Sequence, residues 1–393
     1  MLRPPLPELF AVALILLSPA VFAQKEAAPT RQAKVAIEQQ VPNRSLDLTQ
    51  IESLPGLPAA TVMGDAVCSS DGSIFEQVYG VADKPEVAFF PVIYSVSEQR
   101  EVKKISLPMP KGYKQLVLGS FFPAESRVVG LIEASQPTDS ATPLRNGELA
   151  VFLATADRDG DRQRIVRLDL AFEPMKAALF ESGEFLVLGN DRANMKPVLA
   201  IVHEDGTLDR ILDLDTRTYD ESHDLDRIYE RRTADSNTSA LRRLMIGALS
   251  AAEFIPWGKE VLLVQRGSKL PVYRFDDSGE LGAVTIKPPD GFLLDAILGS
   301  SEKDTWVVST KGANSFEKVA TGGVVENAPQ HLFEVNPRTG EVIDQLSVKG
   351  PQPGQVSCAA DGRLAAIYYG LPQQANVPVQ LGYASAPRYG RSD

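Results

Sequence analysis

Apolar residues run along this chain in short, β-prone stretches, each closed by a turn signal and followed by another such stretch. Six hairpins of that form turn at Asp71-Gly72, Glu125-Ser126, Ser182-Gly183, Trp257-Gly258, Glu302-Lys303 and Asp361-Gly362. The strands after the turns are Ser73–Val78, Val128–Ile132, Phe185–Leu188, Val261–Val264, Trp306–Val308 and Leu364–Tyr368. Two apolar runs around a tight Gly-containing turn are the signature of a β-hairpin. A second hairpin follows in five of the units: Val92–Val96 with Val102–Leu107, Ala150–Ala154 with Ile165–Leu170, then pairs turning at Asp205-Gly206, Ser278-Gly279 and Thr339-Gly340. Its first strand often opens on the same dipeptide, at Pro91-Val92, Pro197-Val198, Pro271-Val272 and Pro378-Val379. Proline has no ladder donor and tolerates the first position of a strand.

Repeats of this size made of four short strands predict an all-β fold, a six-bladed β-propeller. The last unit has three strands, ending in Val379–Ala384, so an N-terminal strand at Ala33–Ile37 or Leu46–Ile51 is expected to complete it and leave no sheet edge unpaired. Seven blades would need residues 216–244 to form one, and that segment lacks strand patterning. The expected division is a signal peptide at 1–23, a flexible lead-in at 24–33, and one propeller domain over 34–393 with a charged insertion at 216–244.

Propeller connectivity sends the turn inside each hairpin to one face and the connections between hairpins to the other. The long connections at 133–148, 216–244, 310–330 and 370–377 therefore share a face, and long loops on a rigid scaffold usually carry binding residues. Cations gather on the same face, in connections between hairpins: Lys84, Arg192, Lys196, Arg266, Lys269 and Lys311. They suit an unknown protein partner or a small anionic ligand; they also suit ordinary solvated loops.

Composition narrows the classes. Lys and Arg number 40 against 51 Asp and Glu, a net charge of −11, and there is no basic run, which argues against nucleic-acid binding. Arg3, the apolar run Leu9–Leu17 and Val21-Phe22-Ala23 read as a cleavable signal peptide, too short to span a bilayer. The expected product is an exported monomer, periplasmic or extracellular, with no later membrane insertion. Cys68 and Cys358, the chain's two cysteines, hold equivalent positions in the first and last units, and export favours a disulfide between them across the ring seam. Two buried thiols are the alternative, since adjacent blades can hold equivalent strands too far apart to bridge.

Candidate chemistry is sparse. Asp157-Arg158-Asp159-Gly160-Asp161 alternates carboxylates as a Ca²⁺ loop does, but Leu168 stands where a bidentate Glu is needed, so the segment reads as a turn. The three histidines, His203, His223 and His331, have no ligand spacing, and no catalytic residue or cofactor is assigned. Asp65 and Asp295, in or near first strands, are weak metal candidates facing the channel.

The run Gly350-Pro351-Gln352-Pro353-Gly354-Gln355 leading to Asp361-Gly362-Arg363-Leu364 resembles the repeat of NHL-type propellers, with Tyr368-Tyr369-Gly370 where such repeats tend to place Asp. That resemblance implies a six-bladed protein- or ligand-binding platform; related propellers include metal-dependent lactonases and lyases. The functional expectation is an exported binding or protein-interaction module rather than an enzyme, with a channel-sited lactonase or lyase as the alternative.

Overall fold

The structure is a computed structural model. It describes residues 43–53, 62–63, 66–69, 71–79, 92–97, 99, 101–113, 115–135, 149–191, 196–212, 252–265, 271–300, 305–312, 331–349, 356–360, 363–368 and 380–385, and side chains at some strand ends are not described. Every regular element among them is a β-strand.

The first sheet holds β2 (Val62–Met63), β3 (Val67–Cys68), β4 (Ile74–Tyr79), β5 (Val92–Val96) and β6 (Val102–Ile105), with β2 and β3 both paired to β4. The second holds β7 (Gln115–Pro123), β8 (Arg127–Ser135), β9 (Leu149–Asp157) and β10 (Arg164–Leu168). The third is β11 (Glu173–Leu179), β12 (Phe185–Asp191), β13 (Lys196–Val202) and β14 (Leu208–Leu212). The fourth is β15 (Ala252–Trp257), β16 (Glu260–Gln265), β17 (Val272–Asp276) and β18 (Gly279–Val284). The remaining strands are β1 (Asn43–Ser53), β19 (Phe292–Ser300), β20 (Trp306–Gly312), β21 (His331–Val335), β22 (Val342–Lys349), β23 (Val356–Ala360), β24 (Arg363–Tyr368) and β25 (Gln380–Ser385). They close on themselves in the order β1-β22-β21-β20-β19-β23-β24-β25.

This is a β-propeller arrangement whose sheets number one fewer than the six blades expected. Six separate blades were expected; hydrogen bonding gathers the described strands into five sheets. The physical reason is double pairing. Residues 43–47 of β1 run parallel to β22, and residues 48–53 run antiparallel to β25, while β19 bridges β23 at Gly299↔Ala359. A Cβ on Gly299, whose φ is +136°, would lie 1.7 Å from the Ala359 carbonyl oxygen, so the two strands approach this closely only over glycine. The first strands β3, β7, β11, β15, β19 and β23 each lie against the next, and β23 lies against β3.

Strand patterns explain the layering. β12 (FLVLGND) is buried along nearly its whole length, as a strand covered on both faces must be, whereas β14, the last of its sheet, is mostly exposed or half-exposed. The core lies between successive sheets. Phe75, Ile105, Leu118, Ile132 and Phe152 join the first to the second; Phe122, Leu131, Phe185, Ile201 and Phe275 span the second to the fourth; Leu262, Val272, Trp306 and Phe333 join the fourth to the closed sheet.

Candidate functional site

Register places a set of polar side chains on one side of the second sheet. Arg127 of β8 stands opposite Asp157 of β9, and Arg164 of β10 stands opposite Thr155. Thr155 and Asp157 are two residues apart on one strand, so all four project from the same face. That face meets the third sheet. There Glu181, in the β11–β12 turn, and Glu204, in the β13–β14 turn, complete a cleft of about 380 Å³ with Ser126 and Arg162. The cleft opens where the turns inside the hairpins emerge.

Local turn chemistry fixes each contributor. Asp157 accepts the Asp161 amide at its Oδ1 (2.7 Å), and its carbonyl accepts the Gly160 amide (2.9 Å). The next-but-one residue, Arg162, has φ +23°; among the described residues it is the one non-glycine with positive φ. Such a conformation costs of order 1 kcal/mol and persists where surrounding contacts over-determine it. Those contacts are a 3.3 Å approach of Nε to Asp157 Oδ2, and Gln163 Nε2 donating to the carbonyls of Ser106 and Gly160. The result holds the Arg162 side chain, 89% exposed, at the rim of the cleft. Glu204 sits in a turn closed by Gly206 N–H donating to the His203 carbonyl and by Thr207 donating to Asp205. At Gly206 (φ +88°) a Cβ would fall 2.5 Å from Val166 Cγ1, so the turn is seated on β10.

The charges are paired unevenly. Glu181 accepts the Ser126 amide (3.3 Å) and hydroxyl (3.0 Å) on separate oxygens. Glu204 faces Arg127 Nη1 at 3.4 Å with one oxygen and Arg164 Nη1 at 3.0 Å with the other. Each of the six carboxylate oxygens in the cleft thus has a donor on the protein. Three guanidiniums bring five N–H groups each, and one atom of each is engaged. The cleft has donors to spare and no uncommitted carboxylate oxygen.

Beside the cleft, Arg158 ties two sheets together. It pairs with Asp71, donates Nη2 to the Ala124 carbonyl (2.9 Å), and lies 5.3 Å over the Phe75 ring. Half-burial of Asp71 pushes its carboxyl up; the bonds from Ser69 and the Ser73 amide and the Arg158 charge outweigh that and hold it below the usual carboxylate range. Asp159 pairs instead with Lys103 at 2.7 Å, so the carboxylates of this turn diverge and do not converge on one point.

Most sequence-derived candidates lie outside the described residues: Lys84, Arg192, Arg266, Lys269, Asp65, and nearly all of loops 133–148, 216–244, 310–330 and 370–377. Lys196 begins β13 and Lys311 lies in β20, and their side chains are not described. Asp295, on β19, is 8% exposed and accepts a bond from Ser309 Oγ at 3.4 Å. Cys68 is disulfide-bonded. Sequence reading missed the cleft, although it singled out the Asp157–Asp161 turn that forms one wall. The signal available was the Arg-x-Arg spacing of Arg162 and Arg164 directly after that turn.

No family model matches the chain. No curated protein matches it either. Among solved structures, an α-L-arabinanase of Penicillium chrysogenum aligns at 11% identity over 85% of this chain and 97% of its own, with TM-score 0.37. A structure of a mitotic checkpoint complex aligns at 9% over 94% and 98%, with TM-score 0.36. TolB of Acinetobacter baumannii aligns at 12% over 73% of this chain and 58% of its own, with TM-score 0.29. At such scores these likenesses carry no argument about what this chain does.

Proposed function

We propose that this protein is an exported β-propeller binding module, with the turn-face cleft between its second and third sheets as the recognition site. One observation carries the reading: the cleft's carboxylates are all committed to protein donors while its guanidiniums keep free N–H groups. That arrangement suits recognition of a hydrogen-bond-accepting ligand or partner side chain. The test is a thermal-shift panel of organic anions, neutral sugars and peptides on the wild type and on the Arg127→Ala/Arg164→Ala double variant. A ligand that binds the native state raises the melting point by an amount that grows with the logarithm of its concentration over its Kd. A compound that stabilises the wild type and not the double variant supports the site. One that stabilises both, and loses its effect in Lys196→Glu and Lys269→Glu variants, moves recognition to the opposite face with the long connections.

Two structural refinements belong to the same proposal. The closed eight-stranded sheet is two blades, β19–β22 and β23–β25 with β1 as outermost strand, which gives a six-bladed ring. The antiparallel β1–β25 pairing and the cyclic neighbouring of the six first strands support this. Cys68 pairs with Cys358, the chain's other cysteine; β3 lying against β23 supports it, and a disulfide fits an oxidising compartment and the signal-peptide reading.

A second reading, a channel-sited enzyme such as a metal-dependent lactonase or lyase, has Asp295 in its favour, a carboxylate that is nearly buried on a first strand. Turnover of a lactone or an acidic polysaccharide by the wild type, abolished in Asp295→Asn, would establish it.

A further inference from the structure

We infer that Glu204 is a built-in competitor for the ligand, and that the ligand presents a carboxylate. This deepens the proposed binding role and rests on it. The Glu204 carboxylate is half-exposed at the tip of its turn, with one oxygen toward Arg127 and the other toward Arg164. The two guanidiniums therefore already hold a planar group with two oxygens between them, one nitrogen of each arginine to one oxygen. The Arg127 contact is long at 3.4 Å, so Glu204 holds that arginine less tightly than it holds Arg164 at 3.0 Å.

Space is available for an incoming group. Gly183 borders the pair, and a Cβ there would sit 3.5 Å from Glu204 Cδ and 3.6 Å from Arg127 Nη2, so the absence of a side chain keeps that approach open. Arg162, exposed at the rim in its constrained conformation, supplies a third guanidinium to a ligand carboxylate that displaces Glu204. When Glu204 swings out it stays solvated, because it is already half in water. The exchange therefore replaces one carboxylate on two arginines by one on three. A free organic dicarboxylate and an Asp or Glu side chain of a partner peptide offer the same group.

The experiment measures binding of two probes by calorimetry to the full chain: succinate, and a short acetylated and amidated peptide with a central Glu. Glu204→Gln keeps the shape of the side chain and removes its charge, and binding is expected to tighten about five- to tenfold. Arg164→Ala is expected to weaken it about tenfold or more, Arg162→Ala severalfold, and Arg338→Ala, in the β21–β22 turn, not at all. Binding of succinate identifies a free carboxylate as sufficient; binding of the peptide alone identifies a partner side chain. Weaker or unchanged binding by Glu204→Gln, with Arg164→Ala still impaired, overturns the competitor role and leaves the cleft standing as the binding site. Binding indifferent to both arginines overturns the cleft itself. Failure of both probes to bind the wild type and Glu204→Gln at millimolar concentration overturns the ligand class.

Discussion

Replacing Arg158 by Met isolates what one inter-sheet side chain contributes to this fold. The guanidinium makes three contacts: the ion pair to Asp71, the bond to the Ala124 carbonyl, and the stack over Phe75. The ion pair is partly screened, with side chains 21% and 48% exposed, and is worth about 0.5–1 kcal/mol. The bond from a charged donor to the carbonyl of a buried residue adds about 1.5–2 kcal/mol. The stack on the buried Phe75 ring adds about 0.5–1 kcal/mol. Against these stands the Arg158 Nε, which is buried without a hydrogen-bond partner, so removing it recovers about 1 kcal/mol. The net expectation is a loss of about 2 kcal/mol, read as a lower urea midpoint at unchanged slope. A double-mutant cycle with Asp71→Asn should return a coupling of about 0.5–1 kcal/mol. The pH dependence follows from Asp71. Its carboxyl is held below its ordinary value in the folded state, so its contribution is complete above about pH 3.9 and is lost as the pH falls through the folded value. The difference between wild type and Arg158→Met should therefore narrow below that pH. A loss under about 0.5 kcal/mol, or a coupling indistinguishable from zero, refutes the assignment of Arg158 as a link between sheets.

Gly299→Ala should destabilise by about 3 kcal/mol or more, because its Cβ lands on the Ala359 carbonyl and a positive φ adds strain; a wild-type urea midpoint would refute the close approach of β19 and β23. Thiol titration of the denatured, unreduced protein should find none, and even one reactive thiol contradicts the disulfide at Cys68. Arg274→Lys should cost about 1 kcal/mol, because two 2.7 Å bonds to Glu260 become at most one; a change under about 0.2 kcal/mol removes the pair from any account of stability.

The hairpins were legible because their information is local. Gly183 N–H donates to the Phe180 carbonyl and Gly206 N–H to the His203 carbonyl, at the turns where Ser182-Gly183 and Asp205-Gly206 mark them. Period-two burial and turn residues act over a few positions, so a single sequence carries them. The sheet count was not legible, because β1 divides its hydrogen bonds between β22 and β25, strands some three hundred residues away in the chain. Nothing in the sequence of residues 43–53 announces two partners. The cleft was illegible for a related reason. Arg127 and Arg164 begin two different strands of the second sheet and Glu204 lies in a turn of the third, and no spacing connects them.

One turn nevertheless separates two jobs that look alike in sequence. Arg158 and Arg162 flank the same Asp-Gly-Asp segment, and both have an acidic partner. Arg158 is turned inward against Phe75 and the neighbouring sheet, where loss of a contact leaves buried groups unmatched and is felt in stability. Arg162 is turned outward, its one contact is a long one, and solvent already screens it, so little stability depends on it. The turn's own bonds hold its constrained backbone in place, and the guanidinium it carries is the one that the proposed ligand meets at the rim. The distinction lies in burial, and burial is set by how the first, second and third sheets meet rather than by the turn that carries both arginines.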